Sequence, residues 1–280
     1  MKILIIVDVI DNGGVGIVLK NLLRNINIAK YEIDLLTVEK NANYESQLPA
    51  SVNVRHLYKK NPAKHPNRYL RYFYAYAKEK CPKWILRRFL IKKDYDLAID
   101  FKGNNLNLLT AMKCPKFFWS HKDFSPITNP LEKQVIEEYS KTKRGAVREK
   151  IFLKNLARIN GVVCISEACK AAFAERWGYP AEKIKVLHNV LDVRAILQNS
   201  KGNIDYVKPN TFTFCCMSRI SSGKGIERLL GCVDMLNKEG YSFCLNIVGG
   251  GDTLTEMQEL CQSLGLQNVH FFGNQDNPHQ

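Results

Sequence analysis

The short all-apolar run ILIIV at 3–7 constrains the fold more than any other feature of the chain. Asp8 interrupts it after five apolar positions, so it reads as a strand and not as a secretion signal, and no stretch reaches the roughly 18 apolar residues of a membrane span. The turn DNGG at 11–14 follows, and Ile17, Val18, Leu19, Leu22 and Leu23 then recur with helical spacing. EIDLLTV at 32–38 completes a strand–helix–strand opening, the pattern of an α/β protein with a parallel sheet. DLAID at 96–100, KFFWS at 116–120, GVVCIS at 161–166 and KIKVLHN at 183–189 read as later strands of the same sheet. Ser166 is placed to cap a helix carrying Cys169, Phe173 and Trp177 that ends at Gly178. The charged stretch 129–158 is predicted helical, with Leu131, Val135 and Ile136 on one face.

Polar residues cluster at 198–210, QNSKGNIDYVKPN, and the α/β pattern then restarts. The predicted division is residues 1–200, with a basic aromatic insertion at 59–93, and residues 208–280. TFTFCCM at 211–217 is a strand, SRISSGKG a polar turn, and Ile226, Leu229, Leu230, Val233 and Leu236 a helical stripe. FCLNIVGGG at 243–251 is strand and glycine turn, and Thr253 with Glu256 suggests a capping box for a helix that Gly265 ends. NVHFFG at 268–273 is a third strand. Three parallel strands leave an edge and much of the sheet surface uncovered, so this second domain is expected to be incomplete; the alternative is a small domain with all its layers.

Charge is divided in the same way. Residues 1–205 hold 36 Lys/Arg against 20 Asp/Glu, giving +16, whereas residues 206–280 hold 5 against 7, giving −2. The segment 59–93 holds 12 basic residues, the single acid Glu79 and seven aromatics. Arg68, Arg71, Trp84, Arg87 and Arg88 are its candidate contacts with an acceptor or a membrane face. It fits an anionic membrane surface, a packed helical insertion, or, least well, nucleic acid; no nucleic-acid recognition module accompanies it. Nine cysteines without paired CxxC spacing read as small hydrophobes in a reducing compartment, and no metal site is expected.

Four places can carry chemistry. Gly13-Gly14 joins the first strand to a helix, where backbone N–H groups can meet an anion, although a simple turn is the competing reading. In Ser218–Gly225, Arg219 can grip a phosphate at two points and Lys224 adds a mobile charge at a helix start; a solvated basic turn competes. Gly249–Gly251 permits close approach of a ligand, with Asp252 read as a helix cap. His121 lies just beyond the run FFWS, at the strand end where open sheets bind ligands, and an ordinary packing histidine is its alternative.

Taken in order, these segments resemble the retaining GT-B glycosyltransferases of family four, particularly bacterial enzymes that build surface polysaccharides. The resemblance runs through Gly13-Gly14, WSHKDF, VCISEACKAAF at 163–173, KVLHNVLD at 185–192, SRISSGKGIERLL at 218–230 and LNIVGGGDTLTEMQEL at 245–260. It implies a GT-B-like fold of two Rossmann-like domains, the first facing the acceptor and the second the donor. It implies that His121 contacts the donor sugar, that Arg219 and Lys224 neutralise the departing diphosphate, and that Gly13, Gly14 and Gly250 line the donor site. Asn189 and Asp192 match a structural junction, and Val190 departs from the glycine common there. The implied reaction is hexosyl transfer from a nucleotide-diphosphate sugar to a saccharide or lipid-linked saccharide, without cofactor or metal. The implied location is cytoplasmic, peripheral on the inner face of a bacterial plasma membrane. The family's paired glutamates, seven residues apart, are expected beyond Gln280. The alternative is therefore a catalytically incompetent fragment that binds carbohydrate or a membrane surface.

Overall fold

The computed structural model describes the chain except residues 9, 11–12, 28, 59–66, 70–80, 88–92, 103–104, 122–140, 203–205, 207–208, 278 and 280. The chain divides into two compact units, Met1–Leu191 and Asp192–Gln280. Most of the basic aromatic segment, with Arg71 and Arg88, lies outside the described residues, as does the 129–140 part of the expected charged helix.

The first unit carries β1 (Lys2–Val7), α1 (Gly14–Asn25), β2 (Glu32–Glu39), α2 (Ala42–Glu45), β3 (Asn53–Tyr58), α3 (Lys83–Ile85) and β4 (Leu97–Asp100). It continues through α4 (Leu106–Leu109), β5 (Lys116–Ser120), α5 (Lys143–Leu156), β6 (Gly161–Cys164), α6 (Glu167–Trp177) and β7 (Ile184–Val186). All seven strands are parallel, in the order β3-β2-β1-β4-β5-β6-β7. Alternate residues of β1 feed two cores, as a doubly covered parallel sheet requires. Ile3, Ile5 and Val7 join Val18, Leu19 and Leu23 of α1, and Leu4 and Ile6 join Leu109, Leu156 and Phe173 on the opposite face. Ser166 caps α6 by accepting from the Cys169 N–H at 3.1 Å, and Gly178 ends it at φ 56°, as the sequence indicated.

The sequence reading passed over β3. None of Asn53–Leu57 is fully buried, and NVRHLY mixes apolar with polar side chains, so it lacks the continuous apolar run of its neighbours. Asn53 and Arg55 nonetheless serve a buried cluster: Asp34 accepts from Tyr95 Oη (2.5 Å), Asn53 Nδ2 (2.9 Å) and Lys93 Nζ (3.2 Å), with Arg55 at 3.7 Å. Burial alone would raise the Asp34 pKa, but those hydrogen bonds and the Lys93 charge outweigh it and hold the carboxyl below its ordinary value.

The second unit carries α7 (Val193–Asn199), β8 (Thr213–Met217), α8 (Ile226–Lys238), β9 (Cys244–Val248), α9 (Leu254–Ser263) and β10 (Val269–Gly273). Its parallel sheet runs β10-β9-β8. Ile226, Leu230 and Val233 of α8 and Cys261 of α9 pack on Leu245, Ile247 and Val269, covering one face. On the opposite face Asn246 is covered by Tyr206, whose ring meets Phe272, while Met217 is 52% exposed. Asp192 caps α7 through the Ala195 N–H (3.1 Å), and the helix falls within the second unit, where its Asn199 carbonyl accepts from Asn277 Nδ2 (2.8 Å).

Candidate donor-binding residues

In the second unit, two loops at the same end of the sheet interlock through their backbones. The Ile220 N–H donates to the Gly250 carbonyl (3.0 Å), Ser218 N–H to Val248 (3.1 Å) and Thr253 N–H to Ile220 (3.4 Å). A Cβ on Gly249 would stand 1.9 Å from the Ser218 carbonyl oxygen, and one on Gly251 would stand 1.9 Å from that of Ile220. Gly249 also has φ +134°, a conformation that side-chain-bearing residues rarely adopt. These two glycines are therefore required by the chain's own backbone, and not only by a ligand as the sequence reading had it. Gly250 differs, since its Cβ would meet the Asn274 amide group at 2.9 Å, a side chain free to move aside.

This stitching fixes the loop that carries the cations. Arg219 and Lys224 are exposed, and neither side chain has a hydrogen-bond or ion-pair partner among the described residues. Lys224 lies in a single 3-10 turn, Ser222–Lys224, and Gly225, at φ 71°, turns the chain into α8. That helix has no side-chain cap at its N-terminus, so its first N–H groups and positive dipole end face the loop. Two unpaired cations and an uncapped 13-residue helix suit an anion with several oxygens. The expected capping box is not formed: Thr253 stands at the N-cap of α9 without a side-chain bond, and Asp252 is exposed and caps nothing. The Ile220 carbonyl holds that helix start instead, because the interlocked loops already satisfy it.

In the first unit, Gly13 is the N-cap of α1 with no side-chain cap, and a Cβ on Gly14 would meet nothing within 4 Å. The turn is held from behind by a clamp that sequence reasoning missed. Asn41 Nδ2 donates to the Ile10 carbonyl (2.8 Å), and the buried Tyr44 hydroxyl donates to that of Gly16. His121 follows β5, which β4 alone separates from β1, so the ends of those two strands lie about 10 Å apart in the sheet. Phe101, whose N–H donates to the Ile6 carbonyl, bridges the gap, its ring 4.6 Å from that of His121. Trp119 stacks on His121 at 5.9 Å.

Burial in this aromatic nest, reinforced by the Lys102 charge, pushes the His121 pKa down to about 4. The imidazole is therefore neutral near pH 7 and acts through hydrogen bonds and not through charge. Its Nε2 is buried without a partner, as are Trp119 Nε1, Ser120 Oγ and Asn105 Nδ2. These orphaned polar atoms lie at the end of β5 and the start of α4; Trp119 and His121 stack on one face of the sheet, and Ser120 alternates to the other. Only His121 was legible as a candidate, since Trp119 and Ser120 read as strand and nothing in the sequence singled out Asn105. Among the described residues no group of three or more His, Cys, Asp or Glu gathers as metal ligands. Arg68 and Trp84 are exposed and Arg87 half-buried.

The sequence profile of Glycosyltransferase Family 4 matches residues 12–195, and that of Glycosyl transferases group 1 matches residues 203–280. The chain belongs to glycosyltransferase family 4. Its two parallel-sheet units have the GT-B fold, shared with Anabaena Alr3699/HepE (18% identity, TM-score 0.61, covering 99% of this chain and 70% of that one). The lipopolysaccharide outer core galactosyltransferase WaaB matches at 17% identity and TM-score 0.64, covering 99% and 69%. S. aureus TarM matches at 12% identity and TM-score 0.65, covering 98% and 77%. No curated protein matches the chain. Within this family the interlocked loops fall in the segment matched by the group 1 profile, and the glycine turn and His121 in the family 4 segment.

Proposed function

We propose that this family 4 glycosyltransferase moves a hexosyl group from a nucleotide-diphosphate sugar to a hydroxyl of a saccharide or lipid-linked saccharide, with retention, in bacterial surface polysaccharide synthesis. The observation that carries this reading is the pair of exposed cations, Arg219 and Lys224, without partners among the described residues, on a loop locked by Gly249 and Gly251 before the uncapped start of α8. Glycosyl transfer builds negative charge on the leaving diphosphate, and charge already in place there stabilises the transition state more than the ground state. In this reading the two side chains take that role and no metal or cofactor is assigned. Neutral His121, with Trp119 stacked on it, would hydrogen-bond sugar hydroxyls without adding charge at the reacting carbon. Gly13 and Gly14 would offer backbone N–H groups to the donor, and Gly250 would lie against the nucleotide.

The similar structures support the donor class: HepE is described in complex with UDP, with UDP and glucose, and with UDP-glucose, and TarM in complex with UDP. The proposed site of action is the cytoplasmic face of the plasma membrane, with the 59–93 segment, including Arg68, Arg71, Trp84, Arg87 and Arg88, toward lipid or acceptor. No helix among the described residues is long and apolar enough to cross a membrane.

Calorimetric titration with UDP and product detection over a panel of nucleotide sugars tests the proposal. UDP is expected to bind, and Arg219→Ala with Lys224→Ala to lower turnover on the order of 10²–10³-fold while the melting temperature stays unchanged. A folded chain that binds no nucleotide sinks the reading. Binding without turnover would favour the second reading, a non-catalytic carbohydrate- or membrane-binding protein.

A further inference from the structure

The first unit has a second basic surface, separate from the 59–93 segment in sequence. Residues 141–158 hold seven basic residues, Lys141, Lys143, Arg144, Arg148, Lys150, Lys154 and Arg158, against the single acid Glu149. Ala146, Val147, Lys150, Leu153, Lys154 and Ala157 recur at helical spacing along α5 and are all exposed, with Arg158 just beyond. The exposed stripe therefore mixes cations with apolar side chains: Val147 is 45% exposed and Leu153 39%.

The C-terminal end of α5 is tied to two other elements. Thr110 Oγ1 after α4 bonds Asn155 Oδ1 (3.3 Å), Asn160 Oδ1 accepts from the Lys116 N–H that opens β5 (2.9 Å), and Asn107 Nδ2 of α4 donates to the Cys81 carbonyl before α3 (3.4 Å). These bonds gather Lys83, Lys116, Lys154 and Arg158 at one place, beside Trp84, which is 67% exposed. Partial burial, and then the positive charges of Arg158, Lys116 and Lys154, lower the Lys83 pKa. Lys83, Lys116, Lys150, Lys154 and Arg158 have no ion-pair partner among the described residues. Like charges held together beside exposed apolar groups, with no ion-pair partner among the described residues, match the headgroup layer of an anionic bilayer, which accepts both.

We propose that the outer face of α5, with the α3 turn and the start of β5, is the surface by which the protein docks on an anionic lipid bilayer. This rests on the membrane-associated reading above and moves the main contact from the 59–93 segment to α5. A helix that returns from the end of β5 to the start of β6 runs along the sheet. Docking through its outer side leaves the strand ends that carry Gly14 and His121 open to substrate.

The test is sedimentation of the full chain with phosphatidylcholine vesicles, with and without phosphatidylglycerol. Each basic residue at such a surface contributes about fivefold to partitioning, so Lys150→Glu with Lys154→Glu and Arg158→Glu should lower binding to the anionic vesicles by on the order of 100-fold or more. The same three positions changed to Gln keep the test decisive if charge reversal prevents folding, and Trp84→Ala should cost several-fold. UDP binding should be the same in all of these variants. Undiminished partitioning in both triple variants, equal binding to neutral vesicles, or a preference for single-stranded RNA over vesicles would overturn the proposal. Loss of binding only on Arg87→Gln with Arg88→Gln would overturn the α5 assignment while sparing membrane association. Failure on every vesicle would remove both and leave the nucleotide-sugar reading to stand on its own titration.

Discussion

Counted from one edge, the strands of the first unit run third, second, first and then on through β4, and β10-β9-β8 is the same third-second-first arrangement in the second. The strands that correspond are buried very differently. In β1, Leu4 and Ile6 are fully buried against one helix layer and Ile5 against the other, whereas in β8 Phe214 is 47% and Met217 52% exposed. The first unit thus draws its definition from two packed layers, and its candidate chemistry lies inside one of them, where burial sets the behaviour of His121. The second unit packs helices on one face, and its candidate chemistry depends on backbone meeting backbone at Ser218, Ile220, Gly249 and Gly251. Removing backbone clearance should therefore damage the second unit, and altering buried charge should damage the first.

The largest effect expected is from Gly249→Ala or Gly251→Ala. Each drives a methyl group into a carbonyl oxygen, and a cost of about 4 kcal/mol or more should unfold the second unit selectively, seen as lost amide protection in α8 and α9 with the first unit intact. A well-folded Gly249→Ala protein would show that this loop is not set by close approach.

Next comes Asp34→Ala. It deprives the buried Tyr95 hydroxyl of its acceptor and the partly exposed Lys93 and Arg55 of their counter-charge, and should cost the first unit about 2–3 kcal/mol by thermal or urea unfolding. The Asp34 carboxyl is held below its ordinary value in the fold, so its contribution is present above the unfolded-state pKa and lost as pH falls through the lower folded one. Acid titration of the alanine variant should lack that loss.

A smaller effect belongs to His121. Its folded pKa, about 4, lies below that of an unfolded histidine, about 6.5. The unfolded chain therefore binds more protons between those values, and the first unit should lose stability as pH falls from about 7 toward 4. His121→Gln should flatten that slope. Turnover should show no step near pH 6.5 from this residue; an imidazole titrating at 6.5 by NMR would break the claim that burial governs it. The smallest change is expected at Gly14→Ala, which meets nothing within 4 Å and should shift stability by only about 0.5 kcal/mol either way, so any loss of UDP affinity there would report on the ligand alone.

Strands with uninterrupted apolar runs were legible in the sequence, as were the Ser166 cap and the Gly178 stop, because each rests on local chemistry. Asn53–Tyr58 was not, since its polar residues are explained by partners that only the fold brings alongside: Asp34 for Asn53 and Arg55, and Thr37 and Glu45 for His56. Arg219 and Lys224 could be picked out by charge and position, but the reason for Gly249 and Gly251 lay in carbonyls some thirty residues away. Nothing in the sequence singles out Tyr44, because its hold on Gly16 depends on a crossover that no spacing rule shows. The α5 stripe was read only as part of a charged helix, because which side of a helix stays wet is settled by its neighbours.

Because Ile220 receives the Thr253 amide while its own amide is bonded to Gly250, the cation-bearing loop and the first turn of α9 are one mechanical piece. An anion that pulls on Arg219 would tighten a helix it never touches. Slowed deuterium uptake at Leu254–Met257 on adding UDP would then be an occupancy gauge remote from the ligand, usable even when no acceptor has been found.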